Sequence, residues 1–219
     1  MKKAVLIAVL LVLFRGAAHA GFLTGDSSPY VEGKGLYAVK LNASILMVGT
    51  PFSIISLSGK YGYNDRISFY ARYGMGTIDY STVSGTHLST DPQASAFGVE
   101  YVLSGTKKAE YYAFVSEYET ASWSVDRKSN ISNEILLGMD YSNQTSDAVR
   151  TRYRLAIHNF NAGAESEEKI GTSVKYSLST EISYSFSRNI KGSFEAGIYF
   201  GDPVGGIITL FGLGVAFNP

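Results

Sequence analysis

Beyond Tyr30 the chain alternates between polar and apolar residues with a period of two. The segment 172–187 is the clearest case. One set reads Thr172, Val174, Tyr176, Leu178, Thr180, Ile182, Tyr184 and Phe186; the other is Ser173, Lys175, Ser177, Ser179, Glu181, Ser183, Ser185 and Ser187. Successive side chains of a strand point to opposite faces, so this pattern makes one apolar and one polar face; a helix would mix the two sets. The same reading predicts strands near 34–48, 52–63, 66–80, 93–104, 109–123, 132–143, 148–160, 171–187, 190–201 and 207–217. That is about ten, an even number, each long enough to cross a bilayer at a tilt.

The links between them alternate in length. Asn64-Asp65, 104–108, 143–147 and Ser187-Arg188-Asn189 are short and rich in turn residues, whereas 81–92, 124–131 and 161–170 are longer. Gly49-Thr50-Pro51 and 202–206 are short exceptions. Hairpins joined in this order predict an all-β, antiparallel, up-and-down barrel with both termini on the short-turn side.

The N-terminus reads differently. Met1-Lys2-Lys3 is followed by an apolar run from Ala4 to Phe14 and by Ala18-His19-Ala20, the three parts of a cleaved secretory signal. The run is too short for the roughly 20 residues of a membrane-spanning helix. The expected organisation is a signal peptide at 1–20 and one barrel domain at 21–219.

Composition narrows the function classes. The 219 residues hold 19 Lys+Arg against 19 Asp+Glu, so there is no basic excess for nucleic acid. The absence of Cys excludes disulfides, thiolate metal sites and cysteine nucleophiles. Aromatics of the apolar set gather toward the short turns: Tyr37, Tyr61, Tyr63, Phe69, Tyr101, Tyr112, Tyr141, Tyr184, Phe186, Phe194 and Phe217. A sorted ring of aromatics is what a membrane–water interface selects, and a soluble core has no reason to sort them. A thinner second ring is expected from Tyr80, Tyr118, Trp123 and Phe200.

With its leader, its alternating strands and a last segment in which Phe211, Leu213, Val215 and Phe217 alternate, the chain resembles small bacterial outer-membrane β-barrel proteins of the porin-like superfamily. The resemblance implies an outer-membrane location, lipids as surroundings and the barrel-assembly machinery as a biogenesis partner. The Asn218-Pro219 added after the terminal Phe departs from the family's usual ending.

Turned inward, the polar set forms blocks of charge. Lys34, Lys40, Lys60, Arg66 and Arg72 come from the first three predicted strands; Glu100, Glu117, Glu119, Glu134 and Asp140 follow; then come Arg150, Arg152 and Arg154, and finally Glu181 and Glu195, with Lys175 as the exception. Buried unpaired charges are costly, so a narrow lumen should join these groups into an ion-pair network. Gly74, Gly76, Gly98, Gly138, Gly197, Gly212 and Gly214 would also face inward and free space, keeping a narrow water-filled pore open as an alternative.

Candidate chemistry is sparse. His87, Ser89 and Asp91 lie together in a Thr/Ser-rich link that reads as a surface turn, and Glu117 with Glu119 is accounted for by ion pairing. His158 has no Asp-x-His element beside it, and three scattered His do not make a zinc site. The expectation is a protein without catalytic, metal or cofactor residues, serving as a narrow porin-like channel or as a structural or surface-interaction barrel, with no nucleic-acid partner and a solute or surface ligand that the residues do not identify. Two alternatives remain: a lipid-modifying enzyme using His87, Ser89 or His158, and a soluble periplasmic barrel with its apolar face inward around a ligand.

Overall fold

The computed structural model describes residues 28–48, 50–81, 87–125, 128–164, 169–200 and 208–219. The expected leader at 1–20 and the predicted link at 202–206 lie outside them, as do the side chains of Tyr80, His87, Ser89 and Trp123. Among the described residues the strands are β1 (Tyr37–Val48), β2 (Thr50–Gly62), β3 (Ile67–Ser81), β4 (His87–Thr90), β5 (Gln93–Gly105), β6 (Glu110–Val125), β7 (Lys128–Gln144), β8 (Val149–Ala164), β9 (Lys169–Ser185), β10 (Ile190–Phe200) and β11 (Ile208–Phe217). Ten of them form one closed antiparallel ring. Each pairs with the next in sequence, apart from β4, and β1 pairs with β11, from Val39 opposite Phe217 to Met47 opposite Thr209. Closure leaves the ten ring strands without a free edge, as a bilayer demands.

The short turns follow local chemistry. In 63–66 the Asn64 side chain accepts from the backbone N–H groups of Arg66 and Ile67 at 2.8 and 2.7 Å. In 106–109 the chain leaves β5 through Gly105, whose φ of +81° suits glycine.

The long-loop end differs from expectation. Strands β6, β7, β8 and β9 run further than the alternation predicts, so the predicted links 124–131 and 161–170 are mostly strand. The link 81–92 also carries β4, which continues the line of β5 along β3, from Ile78 opposite Thr90 to Ser81 opposite His87. Asp91-Pro92 separates the two, and Pro92 has no N–H to give the ladder.

The orientation of the wall decides its solvent. Leu41, Ile45, Ile55, Leu137, Leu155, Leu178 and Leu213 all point outward, and Leu213 is 66% exposed. Lys40, Lys60, Glu100, Glu134 and Asp140 are each at most 2% exposed on the inner face. Such a molecule is inside out for water and right for lipid, which rules out the soluble barrel around an apolar ligand. Toward the short turns the outward aromatics touch one another: Tyr63 with Phe69, Phe69 with Phe97, Tyr112 with Tyr141, and Tyr141 with Tyr153. Tyr176 and Phe200 stack nearer the other end.

Candidate functional site

The lumen is the site to examine, since nearly all the buried charge is there. Thirteen of the charges expected on strands β1 to β10, namely Lys40, Lys60, Arg72, Glu100, Glu117, Glu119, Glu134, Asp140, Arg150, Arg152, Arg154, Glu181 and Glu195, are buried on the inner face, and Lys175 on β9 is half-buried. Lys34 and Arg66 are not; both are exposed in the turns flanking β1 and β3, one or more residues beyond the strand ends where alternation stops.

The pairs follow from closure. Lys40 on β1 reaches Glu181 on β9 at 3.1 Å across two intervening strands, and Arg152 approaches the same carboxylate at 3.6 Å. Lys60 bonds Glu100 at 2.7 Å. Arg72 lies between Glu117 and Glu119, bonding the first and standing 3.4 Å from the second. Arg154 holds Asp140 by two bonds on adjacent strands.

Basic side chains gather near the short-turn mouth. Lys60, Arg150, Arg152 and Lys191 stand within three residues of the turn-side ends of their strands. Glu117, Glu119 and Glu134 lie deeper. Toward the long-loop end the inner face turns apolar, where Leu46, Ile54, Ala94, Ala121, Tyr199 and Leu210 cluster. That layer adds an apolar section to the polar, ion-paired lumen expected from the alternation.

At Gly98, Gly138, Gly197, Gly212 and Gly214 the inward glycines do not free space. A Cβ on Gly98 would meet the ring of Tyr70, and one on Gly214 the Lys40 stem, so larger side chains already fill both gaps.

Two features escape sequence reasoning. The first is a plug. Ser28, Pro29, Tyr30 and Val31 precede β1 and are buried at the short-turn mouth. The Ser28 carbonyl accepts from Arg152 at 3.0 Å, and Lys60 donates to its hydroxyl at 3.4 Å. The Tyr30 ring stacks on Tyr111 with centroids 6.5 Å apart, while Arg150 and Lys191 lie 4.0 and 4.9 Å from its centroid. Lys107, from the β5–β6 turn, joins it by donating to Ser68 at 2.5 Å. Burial pushes the Lys107 ammonium below its ordinary value while Glu100 pulls it back up, and burial raises the Tyr30 phenol. Neither segment carries a periodic signal; only the isolated Tyr30 in a polar stretch hints at it.

The second is a relay. His158 Nδ1 lies 2.6 Å from Glu134 and Nε2 lies 2.7 Å from the Ser177 hydroxyl, with the Tyr199 ring edge-on to the imidazole. Glu134 pairs in register with Phe160 and Ser177 with Ala156, so both are diagonal neighbours of His158 on the same face. All three side chains are buried.

The ring closure, the outward apolar belt and the inward charge together decide the class. The fold is that of an outer-membrane β-barrel. No protein-family model matches the chain, and no curated protein matches it in sequence. Similar solved structures include the translocator domain of the autotransporter NalP from Neisseria meningitidis, at 10% identity and TM-score 0.50, covering 99% of this chain and 95% of that one. The N-terminal β-barrel domain of OprF from Pseudomonas aeruginosa has 14% identity and TM-score 0.37, covering 85% and 99%. The outer membrane protease OmpT from Escherichia coli has 11% identity and TM-score 0.43, covering 84% and 94%. An outer-membrane β-barrel of this build resides in the outer membrane, its belt in lipid and its charges within.

Proposed function

We propose that this outer-membrane β-barrel is a closed barrel that serves as a structural or surface-interaction protein through its long-loop end, and does not conduct solutes. The observation that carries this reading is the filled lumen. Three layers lie in series along the axis: the Tyr30 plug with its basic surround, the carboxylates joined to Arg72 and Arg154, and the apolar cluster around Leu46 and Leu210.

A conducting pore needs room for hydrated ions beyond the side chains of the wall, and a ten-stranded ring stands close to the eight-stranded size that side chains just fill. The joined charges support a sealed interior too. Taking them out of water is repaid only by partners at bonding distance, as for Lys60 with Glu100 and Arg154 with Asp140. The remaining place for a partner is the outer rim, where the β3–β4 hairpin extends beyond Pro92.

The test is the current carried by the refolded 21–219 chain in a planar bilayer over a range of salt. The expected result is a current at the baseline of the empty bilayer, from protein that still shows a heat-dependent shift of its folded form on a gel. Discrete steps that grow with salt would overturn the reading in favour of a narrow porin-like channel.

A further inference from the structure

We propose that the short-turn mouth of the barrel holds one monatomic anion of chloride size, between Arg150, Lys191 and Tyr30. A cavity of about 20 Å³ lies there, lined among others by Tyr30, Lys40, Arg150, Arg152, Glu181 and Lys191. Four cations thus surround one carboxylate, and Glu181 is already shared by Lys40 at 3.1 Å and Arg152 at 3.6 Å.

The other two cations have only neutral partners among the described residues. Arg150 donates to the Ser142 hydroxyl at 3.1 Å and to the carbonyls of Ala109 and Lys108 at 3.4 Å. Lys191 faces the Tyr30 ring. Glu32 acts on both through space, but it is exposed and does not line the cavity. Arg150 is buried and Lys191 half-buried, and positive charge drawn out of water without a carboxylate at bonding distance is costly, a cost that a counter-ion removes.

The donors also select the ligand. Guanidinium and ammonium groups donate and cannot accept, and the buried Tyr30 hydroxyl has no hydrogen-bond partner among the described residues. A ligand that only accepts suits these three groups, while the Glu181 carboxylate that also lines the cavity is already bonded to Lys40. Size favours a monatomic ligand, because one of about water size needs roughly 10–15 Å³ of such space. The site stands whether or not the lumen conducts, since it lies at one mouth and involves no solute path.

The test compares thermal unfolding of the refolded 21–219 chain in sodium chloride, bromide and methanesulfonate at one ionic strength. Chloride and bromide are expected to raise the midpoint above that in methanesulfonate. The halide-specific increment should fall at least about tenfold in apparent affinity in Arg150→Gln and Lys191→Gln, and persist in Lys34→Gln, which removes an exposed charge. A bromide-soaked crystal should show an anomalous peak between Arg150, Lys191 and Tyr30. Equal midpoints in the three salts for the unmutated chain, or no bromide peak there, overturn the proposal even if the variants fail to fold.

Discussion

Arg154 and Asp140 face each other as register partners on β8 and β7, and the guanidinium grips both carboxylate oxygens, at 2.7 Å through Nε and 2.9 Å through Nη2. Two parallel bonds fix geometry as well as charge. Both side chains are sealed in the lumen, so removing one partner strands the other. Asp140→Ala is expected to cost about 3–5 kcal/mol, and the double change Asp140→Leu with Arg154→Met should recover most of it. Urea unfolding of the refolded protein measures both. A single variant as stable as the parent would mean that this pair does not hold the barrel together.

The same pair shows how much the sequence reveals. Alternation alone puts Asp140 and Arg154 inward, because a strand with one face in lipid can have only one register. It also locates the ten ring strands to within a few residues, except where β7 starts four residues before its predicted limit and β8 ends four after. Which charges meet is another matter. Lys40 and Glu181 lie 141 residues apart and come together only once β1 and β11 close the ring. Lys34 and Arg66 mislead because they keep the parity of the inward set past a strand end, three residues before β1 and one before β3. The plug from Ser28 to Val31 and the Lys107 turn cannot be read at all from periodicity, since segments that fold into a lumen as loops have no period to detect.

Gly98 and Tyr70 form a joint between β5 and β3, where they are register partners. The Tyr70 ring lies over the bare Cα of Gly98, in the place a Cβ would take. Gly98→Ala should therefore force a buried ring off its position, at a cost of about 1–3 kcal/mol. Removing the ring as well, in Gly98→Ala with Tyr70→Ala, should cost less than the sum of the two single changes. Double-mutant unfolding in urea reads the coupling, and simple additivity would show that the two residues do not share that space.

The lipid belt gives a depth-dependent prediction. Leu178 lies in the middle of β9 and points outward, 48% exposed, whereas Ile190 begins β10 at the short turn. Leu178→Arg should destabilise the folded barrel in phospholipid vesicles by about 2–4 kcal/mol, and Ile190→Arg by no more than about 1 kcal/mol. Equal costs at the two positions would contradict the placement of the bilayer.

Ser177, His158 and Glu134 give a prediction that separates packing from chemistry. A hydroxyl, an imidazole and a carboxylate in hydrogen-bonding order are also the parts of an activated nucleophile and its base. Here the serine is 3% exposed and the imidazole 1%, with Tyr199 against the ring, so the relay is enclosed on the lumen wall. Its expected work is to satisfy a buried histidine. Ser177→Ala leaves Nε2 without its partner and should cost about 1–3 kcal/mol of stability. The refolded parent should release p-nitrophenol from an acetyl or butyryl ester no faster than buffer does, and should not be labelled by a fluorophosphonate. Labelling that Ser177→Ala abolishes, with stability unchanged, would make the relay a reactive centre and the barrel an enzyme.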